Sequence, residues 1–182
     1  RRFISSDIGP ANALSDDLMT FFFKKNYDKN GIFASKGKIN LKILDLFKKD
    51  KFFKKKFPKS LDRNNFHYLI NKLKRIKAYN ALCTSNYLTI FSILNLLEKD
   101  ICSDVNEIIF TGGGRKNSFL ISQFKYFNQK YKISFIDNYG FDGDLLEAQM
   151  FAYIGIRSVK KLNLSTPYTT GVKKNLTGGN IY

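Results

Sequence analysis

An aspartate set just ahead of a Gly-Pro turn, in the run Asp7-Ile8-Gly9-Pro10-Ala11-Asn12, is the first residue of this chain placed to do chemistry. A carboxylate at such a turn can be held by backbone groups and take a proton from a ligand as a general base; its plainer role is to close the turn. Gly9 permits backbone angles that other residues avoid, Pro10 fixes φ, and Asn12 is a good cap for a following helix. The triplet Gly112-Gly113-Gly114 lets a phosphate or a flat ligand lie against bare backbone at a helix start, although a tight turn with no ligand is the commoner use of such glycines. It fits neither the dinucleotide fingerprint nor the Walker loop. A third group is acidic: Asp137, Asp142, Asp144 and Glu147 are four of the fifteen Asp and Glu in a chain of formal charge +16. Their plain reading is that Asp144 caps a helix whose dipole its neighbours complement. Lys59 and Arg63 can meet an anionic substrate or a phosphate. His67 is the single histidine, so no paired-histidine site can be built, and it is read as structural.

Converging these groups requires a scaffold, and the apolar pattern supplies one. Residues 2–6 read as the end of a strand, which puts Asp7 where strand gives way to turn. Leu14, Leu18, Phe21 and Phe22 then recur at helical spacing through 12–25, as do Ile43, Leu44 and Phe47 through 39–48. The basic run 48–56, broken by Asp50, Phe52 and Phe53, reads as a solvated turn with anchoring aromatics. Residues 66–77 predict a helix, and 80–99 a longer one, apolar enough to be buried against a sheet. A short β-branched run enters the glycine triplet, a helix with Phe119, Leu120 and Phe124 follows, 132–136 form another strand, and a last helix carries Glu147 on its first turns. This alternation is an α/β pattern with a mostly parallel sheet.

At 182 residues and 43% hydrophobic, the chain is long and apolar enough for one folded domain. Its excess of Lys and Arg over Asp and Glu, 31 to 15, could serve nucleic acid or an anionic membrane surface. Abundant Lys, Asn, Phe, Ile and Tyr also follow from an A/T-rich coding sequence. That explanation is preferred, because basic and aromatic residues do not interleave regularly as on a base-stacking platform. Cys83 and Cys102 lack metal-ligand spacing and are expected to be reduced thiols of a cytoplasmic protein. No apolar run reaches the length of a membrane span. The chain opens on Arg1-Arg2 with a strand already under way, which predicts that part of a longer protein precedes it.

Ordered motifs along the chain resemble those of the bacterial anhydro-N-acetylmuramic acid kinases. Asp7 to Asn12 resembles their Asp-Thr-Gly-Pro-Gly-Asn signature, with Ile8 for Thr and Ala11 for the second Gly, and Asp16 stands at the closing Asp. Asp28, Gly31, Ala34 and Gly37 are in register with Phe-Asp-x-x-Gly-x-x-Ala-x-x-Gly. Pro58, Lys59, Ser60, Arg63 and Phe66 match part of a Pro-Lys-Ser box, from which Leu61, Asp62 and Asn64 depart. Gly112 to Asn117 is similar to the family's nucleotide-binding turn. Asp137 to Ala152 matches every fixed position of Asp-x-x-Gly-x-x-Gly-Asp-x-x-Glu-Ala-x-x-Phe-Ala, and 167–179 resembles the closing Gly-rich tail, as expected of a natural carboxyl end.

The resemblance implies that residues 1–182 are the C-terminal lobe of a two-lobed kinase of the sugar kinase, Hsp70 and actin superfamily, an actin-like (ribonuclease H-like) ATPase lobe. The first phosphate loop of that superfamily would belong to a preceding lobe, so this chain alone is expected to be inactive. The implied reaction converts 1,6-anhydro-N-acetylmuramic acid to N-acetylmuramic acid 6-phosphate with ATP and Mg2+, in peptidoglycan recycling. Asp7 would be the catalytic base. Gly9, Pro10, Asn12 and Glu147 would hold the sugar, and Gly112, Gly113, Gly114 and Asn117 the nucleotide. No protein metal ligands are implied; a homodimer is. Another sugar or acetate kinase of the superfamily is the nearest alternative, and a basic nucleic-acid-binding domain the next.

Overall fold

The computed structural model describes residues 3–179; Arg2, the first residue of the expected strand, lies outside them. Six α-helices and two strands follow in the order α1 (Ala13–Phe23), α2 (Leu41–Lys48), α3 (His67–Leu73), α4 (Ala78–Leu97), β1 (Glu107–Phe110), α5 (Ser118–Phe127), β2 (Lys132–Phe135) and α6 (Leu146–Val159), joined by short 3-10 turns. The strands pair in parallel, Glu107 opposite Lys132 and Phe110 opposite Phe135, with α5 as the crossover between them. The molecule is therefore α/β, a parallel two-stranded sheet flanked by helices.

Helix α4 organises the interior because its apolar residues serve two clusters. Its first half contributes Ala81, Leu82 and Leu88 to a helical core with Leu14, Leu18, Phe47, Phe66 and Leu69. Phe47, Phe52, Phe53, Phe66 and Phe91 meet mostly edge to face, for example Phe47 and Phe66 at 5.0 Å between centroids, an arrangement favoured by ring quadrupoles. The second half, from Ile90 to Leu97, packs on Leu120, Ile121 and Phe124 of α5 and on Ile108, Phe110, Ile133 and Phe135 of the sheet. The expected buried helix against a sheet is thus present in its second half. Cys83 and Cys102 are both buried and free. Among the described residues no helix is long and apolar enough to cross a membrane.

Three local expectations are corrected. Residues 3–6 form no strand. Their backbone partners are two separate loops, with Ser5 N–H donating to the Tyr168 carbonyl and Asp7 N–H to that of Lys59, so no continuous ladder develops. The helix expected over 66–77 stops at Leu73, and the extended backbone of Lys77 (ψ 135°) separates it from α4. Asp144 does not cap α6: Leu145 holds the cap position without a side-chain bond, and the Asp144 carboxylate is bonded elsewhere.

Candidate active site

Asp7 is pinned by its neighbours rather than by a strand. Its N–H donates to the Lys59 carbonyl at 3.0 Å, and its Oδ2 accepts from the Leu61 N–H at 2.6 Å. Ser6 Oγ reinforces the junction by accepting from Lys59 N–H at 2.9 Å. One carboxylate oxygen is therefore fixed by backbone, while Oδ1 makes no hydrogen bond and the residue is exposed. It borders a hollow with Ser5, Ser60, Thr169 and Thr170. A carboxylate oriented through one oxygen and open at the other is the arrangement a general base needs.

The turn after Asp7 is set by packing on α4. Gly9 does not use the left-handed region, so its need for glycine is spatial: an added Cβ would stand 2.2 Å from Ser92 Oγ. Pro10 is buried. Ala11 does adopt a positive φ, 47°, and its carbonyl accepts from Thr89 Oγ1 at 2.6 Å, a bond that holds the strained residue. Asn12 occupies the cap position of α1 but makes no capping bond, which leaves its amide beside the Gly turn, its Nδ2 3.6 Å from where a Cβ on Gly114 would lie.

Lys59 is not available to an anion. Its Nζ is directed inward to the Phe52 carbonyl at 3.0 Å and lies 4.1 Å from the Phe52 ring centroid, on a residue that is itself buried. Burial, and then the repulsion of Lys99 and Lys55, push its amine down from the usual range. Arg63 bonds Asp17 Oδ1 at 2.7 Å on the surface.

The Gly turn leaves β1 through Gly112, whose φ of +66° makes it a residue for which glycine is required. An added Cβ on Gly112 or Gly113 would meet no atom within 4 Å, so the turn faces open space with bare backbone. Asn117 closes it: Oδ1 accepts from Leu120 N–H at 3.0 Å as the cap of α5, and Nδ2 donates to Asn86 at 3.0 Å. Both ends of this amide are thus used in fixing the turn. The Phe-Asp-x-x-Gly-like segment supports it from outside. Asp28 accepts from Phe33 and Ala34 N–H at 3.0 and 2.8 Å, and Gly31, at φ +70°, admits the Asn117 side chain.

Arg115, which sequence reasoning did not single out, ties the Gly turn to the acidic run. Its guanidinium donates to the Gly112 carbonyl at 3.0 Å, to Asp137 at 2.8 and 3.2 Å and to Asp144 at 2.8 Å. Lys116 also bonds Asp144. These contacts hold the Asp144 carboxyl down at about 2, the Arg115 bond first among the causes, and lower that of Asp137 as well. The available signal was charge complementarity: a basic pair directly after the triplet and an acidic concentration downstream.

The site residues fall into three hollows, two of which share a border. Asn12 and Asn117 line a cavity of about 470 Å3 with Ser15, Asp16, Tyr27 and Gly113. Glu147, exposed on the first turn of α6, lines a wider one of about 670 Å3 with Thr111, Gly112, Gly113 and Met150. Gly113 and Asp144 border both. Asn12 and Glu147, expected at one ligand, therefore flank the Gly turn from different hollows, and Asp7 borders the third. Asp16 is the electrostatic outlier of the group: burial, offset in part by Arg63, raises its carboxyl to about 6.

A family model described as anhydro-N-acetylmuramic acid kinase matches residues 1–182. The chain is 33% identical over 179 residues to the anhydro-N-acetylmuramic acid kinase of Roseobacter denitrificans, covering 98% of this chain and 47% of that protein. The kinase of the same name from Zymomonas mobilis is 33% identical, with coverage of 98% and 48%. That of Caldanaerobacter subterraneus is 31% identical over 189 residues, with the same two coverages. The chain spans about half the length of the curated relatives it matches. With the match running its whole length, this chain belongs to the anhydro-N-acetylmuramic acid kinase family.

Proposed function

We propose that the chain forms the C-terminal lobe of a kinase that acts in the cytoplasm on 1,6-anhydro-N-acetylmuramic acid, opening the anhydro bridge with water and yielding N-acetylmuramic acid 6-phosphate for peptidoglycan recycling. The observation that carries this reading is the open Gly turn bound through Arg115 to the loop that presents Glu147, within a family match over the full chain. The complete enzyme in this reading has a second lobe and pairs as a homodimer.

The residues fit a nucleotide, because Gly112 and Gly113 present backbone with no side chain in front of it. They do not fit a protein cage for Mg2+: among the described residues no three His, Cys, Asp or Glu side chains are grouped to hold a metal. In this reading Mg2+ would accompany the nucleotide, and no step is assigned to it.

Asp7 takes a proton from the water that attacks the anomeric carbon, using Oδ1 while Leu61 N–H holds Oδ2. The water oxygen bonds to that carbon as its bond to the C6 oxygen breaks. The released C6 oxygen then attacks the γ-phosphorus, forming the phosphate ester and expelling ADP. The Gly turn seats the nucleotide, and Glu147 orients the sugar by accepting a hydrogen bond from its free hydroxyl. Bare backbone at the turn lets the phosphates approach closely, a requirement of phosphoryl transfer by positioning.

Product formation by the complete gene product, followed by mass spectrometry, tests the reading. Wild type should form the 6-phosphate, and Asp7→Asn should lower kcat by about a hundredfold or more, the scale of a general base, with sugar binding retained. Near-normal turnover in a folded Asp7→Asn enzyme removes Asp7 from the mechanism. Absence of the phosphate ester with wild type removes the assigned substrate.

A further inference from the structure

Basic and aromatic residues do not alternate along the sequence, but the fold gathers them where α1 and α3 end and α4 begins. Phe21, Phe22, Phe23, Phe33 and Tyr79 form one connected group of rings, with neighbouring centroids 4.5 to 6.2 Å apart. Phe22, Phe23 and Phe33 are set against the core below, while Phe21 and Tyr79 remain 45% and 39% exposed. Three lysines lie over these rings. The ammonium of Lys74 is 4.5 Å from the Phe21 centroid, that of Lys25 5.2 Å from Phe33 and that of Lys36 5.8 Å from Tyr79. None of these residues lines the three hollows of the candidate active site.

An A/T-rich coding sequence accounts for the number of lysines but not for the want of acids beside them. The two segments that supply this face, 18–44 and 64–97, hold ten Lys and Arg and a single acid, Asp28. That carboxylate is buried and accepts from the Phe33 and Ala34 N–H groups. Among the described residues Lys25, Lys36 and Lys74 take part in no ion pair. Lys25 and Lys74 follow the ends of α1 and α3, where a cation offsets the helix dipole; Lys36 follows no α-helix. We propose that this face binds single-stranded nucleic acid, with bases stacked on Phe21 and Tyr79 and phosphates on Lys25, Lys36 and Lys74. Cation–π contacts at exposed sites are weak, so a phosphate can draw each ammonium off its ring and open the ring face to a base. A single strand alternates flat bases with single charges, as this face alternates rings with ammonium groups. A duplex offers its phosphates but hides the faces of its bases. A lipid surface calls for apolar side chains that reach past the lysines, and here the lysines lie over the rings.

Fluorescence anisotropy of a labelled oligothymidylate with the complete protein, over a range of salt, tests the proposal. Tyr79→Ala and Phe21→Ala should each weaken binding about tenfold, the scale of base–aromatic stacking, and Tyr79→Phe should keep it. Lys36→Gln, at an exposed position, should reduce the slope of log K against log salt by about 0.7, the share of one phosphate contact on a single strand. Its melting temperature and its turnover of the anhydro sugar should match wild type. Wild-type protein that fails to bind the oligonucleotide overturns the proposal. So does binding that Tyr79→Ala, Phe21→Ala and Lys36→Gln all leave unchanged, which would place the contact elsewhere among the basic residues. Equal affinity for a duplex of the same length overturns the role of the rings, and binding to phosphatidylserine vesicles in place of the oligonucleotide overturns the choice of partner.

Discussion

The close approach of the Asp7 turn to α4 can be measured through Gly9→Ala. The added Cβ would lie 2.2 Å from Ser92 Oγ and 2.4 Å from Ser92 Cβ, more than about 1 Å inside the normal separation of carbon atoms. Ser92 is 2% exposed in the middle of α4, with its hydroxyl donating to the Leu88 carbonyl at 2.9 Å. A rotamer change can move Oγ, but Cβ is fixed to the helix backbone. The cost therefore belongs in the upper part of the overpacking range, about 2–3 kcal/mol, or a fall in Tm of roughly 5–10 °C for a chain of this size. Ser92→Gly removes both clashing atoms and leaves Cα at 3.9 Å; alone it costs about 0.5–1 kcal/mol in helix propensity. The double variant should then be no less stable than Ser92→Gly alone, a coupling of about 2–3 kcal/mol in a double-mutant cycle. Ser92→Ala retains Cβ and should restore little. Urea unfolding followed by circular dichroism reads all five proteins. A wild-type midpoint for Gly9→Ala, or equal rescue by Ser92→Ala and Ser92→Gly, refutes the reasoning.

Two further outcomes concern the site itself. A Cβ at Gly113 meets no protein atom within 4 Å, so the melting temperature of Gly113→Val should stay near wild type while KM for ATP rises and that for the sugar holds; equal weakening of both substrates would show that the turn only shapes the fold. Asp16 has its carboxyl raised from 3.8 to about 6 in the folded protein, so its favourable contribution is complete below about pH 4 and is lost as pH climbs through 6. Asp16→Asn should consequently gain stability over wild type between those limits, reaching about 1–2 kcal/mol at pH 7 after allowance for partial exposure, and an equal gain at pH 4 and pH 7 by urea unfolding would contradict this.

Most elements were legible because their apolar periodicity is local. Helices α1, α2, α4 and α5 and both strands lie within a few residues of the periodic segments that predict them. The sequence was less informative wherever the deciding partner is distant. Residues 3–6 have strand composition, but the loops they bond to supply single contacts at Lys59 and Tyr168 rather than a ladder. Asp144 has the position of a helix cap, yet Arg115 and Lys116, 29 and 28 residues earlier, hold its carboxylate. Gly9 carries the signature of a turn glycine, and only the packed helix shows that Ser92, not φ, excludes a side chain. Lys59 looks like an anion ligand because nothing local reveals that its amine is turned toward Phe52. The glycine triplet was readable as an open turn; its anchor Arg115 left no periodic trace, and only the complementary charges of the basic pair and the acidic run hinted at it.

The Arg115 contacts also resolve an electrostatic difficulty in the site. In the proposed reading the Gly turn seats phosphates, yet it lies beside Asp137 and Asp144, two carboxylates that would repel them if left bare. Arg115 and Lys116 offset those two charges with ion pairs of their own. Because the Asp144 carboxyl is held near 2, it remains ionised and available to Arg115 throughout the neutral range. Glu147, one turn into α6, makes no such pair among the described residues and remains a free acceptor in the hollow it borders. The same acidic run thereby serves two purposes. Its paired members fasten the Gly turn without burdening it with negative charge, and its unpaired member, Glu147, borders the adjoining hollow. A guanidinium suits this position better than an ammonium, since it reaches the Gly112 carbonyl and both carboxylates from one planar group.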